Sequence, residues 1–148
     1  MYRGNLGRLQ LFHVNNNVLT NTIPDSVGQL FQLIEFHAGF NEIRGSIPLG
    51  LASLPELQSL SIESNRLTGR IPTILGDSPS LRTLVLDHND LVGPVPFQIG
   101  RLQNTLEWLD LSWNSLTGTL PDELSRLDKA KWFYFERNVS VSFCFDGA

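Results

Sequence analysis

The stretch Leu81-Arg82-Thr83-Leu84-Val85-Leu86-Asp87-His88-Asn89-Asp90-Leu91-Val92-Gly93-Pro94-Val95-Pro96 sets the reading of the rest of the chain. Its front half alternates like a half-buried strand, and its back half carries the Asn, Gly and Pro of turns. The same frame recurs on both sides. Asn17, Asn41, Asn65 and Asn89 are each 24 residues apart, Asn114 follows after 25 and Asn138 after another 24. Ahead of them stand Leu9-x-x-Phe12-x-Val14, Leu33-x-x-Phe36-x-Ala38, Leu57-x-x-Leu60-x-Ile62 and Leu106-x-x-Leu109-x-Leu111. Behind them come Gly45, Gly69, Gly93 and Gly118, and then an apolar residue followed by Pro24, Pro48, Pro72, Pro96 or Pro121.

A 24-residue unit cannot enclose its own core, so its leucines must be covered by the units before and after it. The strands then line up as a parallel sheet with neighbours roughly 4.8 Å apart, which gives six of them a concave face roughly 25 to 30 Å across. An asparagine amide offers both donors and acceptors. At a sharp turn it can satisfy backbone groups of its own coil and of the next, so Asn17, Asn41, Asn65, Asn89 and Asn114 predict a structural ladder. Glycine at a shared position predicts positive φ, and the first repeat places Asn21 there, the non-glycine residue type that best tolerates it. Proline ends strand pairing and turns the chain to the convex side, where short helical turns such as Pro121-Asp122-Glu123-Leu124 are expected with proline at the first helical position. Ser78-Pro79 in the fourth repeat and the extra residue between Leu102 and Leu106 in the fifth both fall on the connecting side, where insertions are tolerated.

These repeats resemble the leucine-rich-repeat family, and the Leu-x-Gly-x-Ile-Pro half resembles its plant-type subclass, known from receptor-kinase ectodomains and polygalacturonase inhibitors. The resemblance covers about residues 6 to 138. It implies an α/β solenoid, a horseshoe with a parallel concave β-sheet, short 3-10 or helical turns on the convex side and little regular α-helix. It also implies one domain over residues 1–148, with five full repeats over about 6–126 and a degenerate capping repeat over 127–148. Ectodomains of this family carry cysteine-paired caps, whereas Cys144 stands alone here and is read as an apolar filler. Leu6, Leu9 and Phe12 lack an upstream coil to cover them, which leads to the expectation that the chain is part of something longer. At the other end Val139, Val141, Phe143 and Phe145 alternate with Ser140, Ser142, Cys144 and Asp146, the pattern of a half-buried strand closing the core.

Composition excludes several function classes. An apolar fraction of 41% and nine Phe are incompatible with a disordered polyelectrolyte. The net charge of −4 argues against duplex nucleic acid or an anionic membrane as the main partner. No apolar segment follows Met1 in the manner of a secretion signal, and no run approaches the roughly 18 apolar residues of a membrane span, so the chain is expected to be soluble and untargeted as written. Family resemblance alone points to an extracellular or membrane-attached setting.

The frame assigns directions to the side chains of the concave face. One column is Leu11, Glu35, Ser59, Thr83, Trp108 and Trp132. The next is His13, His37, Ser61, Val85, Asp110 and Tyr134. The third is Asn15, Gly39, Glu63, Asp87, Ser112 and Glu136, and the fourth is Asn16, Phe40, Ser64, His88, Trp113 and Arg137. Aromatics with arginine are enriched at interface hot spots, so Trp108, Trp113, Trp132, Tyr134 and Arg137, with Asp110, Asp87 and His88 beside them, are the expected ligand-binding residues. The competing reading has these aromatics closing the end of the solenoid. His13 and His37 share a column beside Glu35 and Asn15, but surface histidines are mostly solvated, and no metal or cofactor is expected. Glu63, Asp87 and Asp110 form a diagonal acidic strip on an open sheet with no water-excluding pocket, and no nucleophile, phosphate-loop or Cys/His spacing is present, so no catalytic residues are expected. Asn138-Val139-Ser140 is a glycosylation sequon on a ladder position, and the ladder role is favoured.

The expected function is non-catalytic recognition of a protein or peptide on the concave face, as part of a receptor-like protein in signalling or defence. The alternative is a structural protein adsorbing to polysaccharide or ice, for which the outward row Thr20, Thr68 and Thr117 is broken by Arg44 and Val92. A further alternative is the regulatory part of a receptor kinase whose catalytic domain lies outside this chain.

Overall fold

The computed structural model describes residues 6–142, with side chains described up to residue 139. Each repeat forms one coil. Strands Leu11–His13, Glu35–His37, Ser59–Ser61, Thr83–Val85, Trp108–Asp110 and Trp132–Tyr134 pair in that order as a six-stranded parallel sheet. Register follows the repeat, with Leu11 opposite Glu35, Phe36 opposite Leu60 and Asp110 opposite Tyr134. The chain is therefore an α/β solenoid with a parallel sheet along one wall.

The return side of each coil is short. Turns of 3-10 helix span Asp25–Gln29, Thr73–Asp77, Phe97–Leu102 and Asp122–Arg126, and the one α-helix described is the single turn Leu49–Ala52. Proline precedes every one of these turns in extended conformation (Pro121 has φ −62°, ψ 137°), so it sits one residue earlier than expected and ends the strand without entering the helix. The turns pack through small residues: a Cβ added to Gly76 would lie 2.1 Å from the Gln98 carbonyl oxygen of the next coil. A second, unexpected set of parallel pairings joins coils at the glycine position, through Arg44–Gly45 with Arg66–Leu67 and through Val92–Gly93, Ser115–Thr119 and Ser140–Ser142.

The core is one stack of leucines between these walls. Leu60, Leu84 and Leu109 are fully buried on successive coils. The asparagine ladder runs beside it. Asn89 donates from Nδ2 to the carbonyls of Ile62 (3.0 Å) and Leu86 (3.1 Å) and accepts the Leu67 amide at 2.9 Å. Asn114 repeats this with Leu86, Leu111 and Leu91. The side chains of Asn41, Asn65, Asn89, Asn114 and Asn138 thus tie their coils to the preceding one, not the next as expected. Among the described residues the Asn17 side chain bonds only to the carbonyls of Val14 and Asn15. Asn138 bonds to the carbonyls of Leu111 (3.1 Å) and Phe135 (2.9 Å), so its amide nitrogen is occupied within the ladder.

Positive φ occurs at Gly45, Gly69, Gly93 and Gly118, and at Asn21 (69°) in the first coil. It also occurs where the frame gave no warning, at Asn16, Phe40, Ser64, His88, Trp113 and Arg137, the whole fourth column. Left-handed backbone costs a non-glycine residue about 1 to 2 kcal/mol. Inter-coil hydrogen bonds offset it: the Asn65 amide bonds the His88 carbonyl at 3.1 Å and the Asn89 amide bonds the Trp113 carbonyl at 3.1 Å.

The ends differ from the middle. Leu6, Leu11 and Leu19 are exposed and Phe12 is half-buried, stacked on Phe36 at 5.1 Å. In the sixth coil Phe133 is 38% exposed. The expected closing strand forms at Ser140–Ser142, but Val139, assigned to its buried phase, is 69% exposed. The Val139 amide already bonds the Leu116 carbonyl at 3.2 Å, so the backbone joins the neighbouring strand while the side chain faces solvent. Phe143, Cys144, Phe145 and Asp146 fall outside the described residues.

Candidate functional site

Three-residue strands set the geometry of the concave face. The first two columns lie on the strands themselves and the last two in the turn that follows. The left-handed residue in the fourth column lets it face outward beside the third, which simple alternation would forbid. The third column tilts inward in return, and Ser112 is only 4% exposed.

On coils five and six the expected aromatics are brought together as two ridges. Trp108 and Trp132 lie in register, with ring centroids 5.5 Å apart and planes inclined by 41°. The Lys131 ammonium sits 5.9 Å from the Trp132 ring centre and 2.7 Å from the Glu107 carboxylate. The second ridge is a stack in the fourth column. His88 lies on Trp113 at 5.0 Å and 14°, and the Arg137 guanidinium covers the other side of Trp113 at 5.1 Å. Trp108, Trp113, Trp132 and Tyr134 all remain more than a third exposed. Cations over aromatic rings are worth about 0.5 to 1 kcal/mol at exposed sites.

Between the ridges runs the acidic strip, each carboxylate held by a local partner. Asp110 accepts the Ser112 hydroxyl at 2.6 Å, Glu63 accepts the Ser61 hydroxyl at 2.5 Å, and Asp87 lies 2.7 Å from His88 Nδ1. Burial pushes the Asp87 carboxyl above the ordinary range, helped by the nearby Asp110 and Glu63 charges and opposed by the His88 contact. Lys131 draws the Glu107 carboxyl below its ordinary value through a hydrogen bond and its charge. Sequence reasoning missed Lys131 and Glu107, which precede the strands. Their signal was the shared frame, since Glu107 and Lys131 stand 24 residues apart just ahead of Trp108 and Trp132.

At the other end of the face the histidines set aside from the sequence converge. His13 Nε2 is 2.7 Å from Glu35 Oε2, His37 Nε2 is 4.0 Å from the same oxygen, and the two rings stack at 4.4 Å and 4°. A cleft of about 520 Å³ lies away from the concave sheet, along the Ile-Pro edge of the first three coils between Pro24, Pro48 and Pro72.

The Leucine Rich Repeat family profile matches residues 56–78, 80–102 and 105–127. No curated protein sequence matches the chain. Among solved structures, a TDR receptor superposes with a TM-score of 0.87 at 32% identity, covering 90% of this chain and 23% of that one. The ectodomain of the Arabidopsis receptor kinase HAESA, in complex with an IDA peptide hormone ligand, gives 0.86 at 28% identity, covering 94% and 27%. A chain of the BIR3–SERK2 complex from Arabidopsis thaliana gives 0.81 at 32% identity, covering 96% of this chain and 73% of that one. The chain thus spans about a quarter of the length of the first two. In repeat period, in sheet register and in similarity to solved ectodomains, the chain belongs to the leucine-rich-repeat family, in its plant-type subclass.

Proposed function

We propose that this chain is a non-catalytic recognition module that binds an extended peptide or a protein segment along its concave face, with coils five and six as the main contact. One observation carries the reading: two exposed aromatic ridges, Trp108–Trp132 and His88–Trp113, flank the acidic strip on the concave face, each with a cation over it. Exposed aromatic surface of this kind has a large area to bury at low conformational cost. Lys131 and Arg137 suit acidic or carbonyl groups on the ligand, and Asp87 and Asp110 between the ridges suit its donors. Structures of similar receptors in complex with peptide hormones support the ligand class. The chain is, on this reading, part of an extracellular, receptor-like protein acting in signalling or defence, and its likeness to receptor-kinase ectodomains supports the receptor-like part. On this reading residues 1–148 are a single repeat domain with the sixth coil as its cap.

The test is a double variant, Trp108→Ala with Trp132→Ala, probed for capture from a library of unstructured synthetic peptides. Capture should fall at least about a hundredfold, the scale of two hot-spot residues, while the circular dichroism spectrum is unchanged. Undiminished capture would remove the ridges from the binding surface.

A further inference from the structure

We propose that His13, Glu35 and His37 form a binding site for one divalent transition-metal ion of the zinc class, on the concave face at the end away from the aromatic ridges. The sheet itself creates the donor set. Strand alternation places Glu35 and His37, two residues apart, on one face, and the parallel register puts His13 directly opposite His37. The result is two imidazole nitrogens and a carboxylate oxygen lying within 4.8 Å of one another. Imidazole with carboxylate is a donor set suited to zinc, copper and nickel ions, and three protein ligands leave positions open for water or for a group on an arriving molecule.

Ligation would replace contacts that the two rings already make. His37 Nε2 lies 2.8 Å from the Ser59 hydroxyl, and the rings stack at 4.4 Å. In the parallel stack the lone pairs run side by side, so binding turns the imidazoles about χ2 and exchanges the His13–Glu35 hydrogen bond for ligation. The ion would join coil one to coil two, where Val14 and His37 already share an inter-coil backbone hydrogen bond of 2.8 Å.

Isothermal titration of the whole untagged chain with zinc chloride at neutral pH should show one equivalent bound. His13→Ala and His37→Ala should each weaken binding at least about tenfold, since even changes outside the ligand shell act on that scale. Glu35→Gln should weaken it in the same direction. His88→Ala, on the same face but outside the cluster, should bind as the parent does. The imidazole NMR signals of His13 and His37 should shift on binding and those of His88 should not. Absence of binding by the parent chain overturns the proposal, and so does an equal loss in His88→Ala or a loss below tenfold in either cluster histidine.

Discussion

Leu84 and Phe133 hold the same place in coils four and six, yet Leu84 is wholly buried while 38% of Phe133 is exposed. The larger apolar side chain is the less protected one. The contrast recurs along the ladder, where the Asn89 side chain is buried and bonded across coils while the Asn17 side chain is exposed and, among the described residues, bonded only within its own turn. In a solenoid, position in the repeat fixes the direction a side chain takes, and the coils on either side decide what that direction is worth. The middle of the molecule holds the ends in shape, and the ends keep apolar surface available.

The sharpest way to break this comparison is to truncate both apolar residues. Leu84→Ala removes a side chain packed on every side and should cost about 3 to 4 kcal/mol of unfolding free energy. Phe133→Ala deletes more atoms but leaves no closed cavity, so it should cost about 1 to 2 kcal/mol. Urea unfolding followed by far-ultraviolet circular dichroism measures both. If the phenylalanine proves the more costly, the sixth coil is as tightly packed as the fourth and the contrast fails.

The ladder sharpens the same point at smaller amplitude. Asn89→Ala leaves the Leu67 amide and the Ile62 carbonyl without their side-chain partner in a buried turn, at about 2 to 3 kcal/mol. Asn17→Ala strips two bonds from carbonyls that water can reach and should stay within about 0.5 kcal/mol. Amide hydrogen exchange at Leu67 should accelerate in the first variant. No comparable change at Leu19 should follow the second, because the Leu19 amide is held by Asn41 and not by Asn17.

What could be read from the residues alone follows the same division. Period and residue type were enough for the sheet, the ladder asparagines and the left-handed glycines, since each depends on local chemistry repeated at one spacing. Asn21 in the glycine column could be understood for that reason. The left-handed conformation of Phe40 or Trp113 was not legible, because nothing in those side chains favours positive φ; it is accompanied by hydrogen bonds from the backbone amides of the preceding coil's ladder asparagines, Asn17 and Asn89. The backward direction of the ladder depends on the handedness of the turn, which a spacing does not encode. For the candidate site, the frame was enough to gather the tryptophans. Lys131 over Trp132 and the His13–Glu35–His37 triangle depend on how long side chains bend between coils, which the frame leaves open.

Asp87 and Glu136 give the smallest test of middle against end, as they share the third column but only Glu136 is exposed. Burial raises the Asp87 pKa above its ordinary 3.8, so the folded chain holds that proton to higher pH than the unfolded chain does. Stability contributed by the protonated carboxyl is therefore fully present below about pH 3.8 and is lost as pH rises through the folded value. Asp87→Asn cannot ionise. Its urea midpoint, compared with that of the parent across a pH series, should gain on the parent as pH rises above 3.8 and then hold a constant lead. The His88 contact opposes the shift, so adding His88→Ala to both chains should widen that lead by removing the one neighbour that favours the ionised carboxylate. A lead that shrinks with rising pH would mean that the strip is better solvated than its burial implies, and that coil four offers Asp87 no drier setting than coil six offers Glu136.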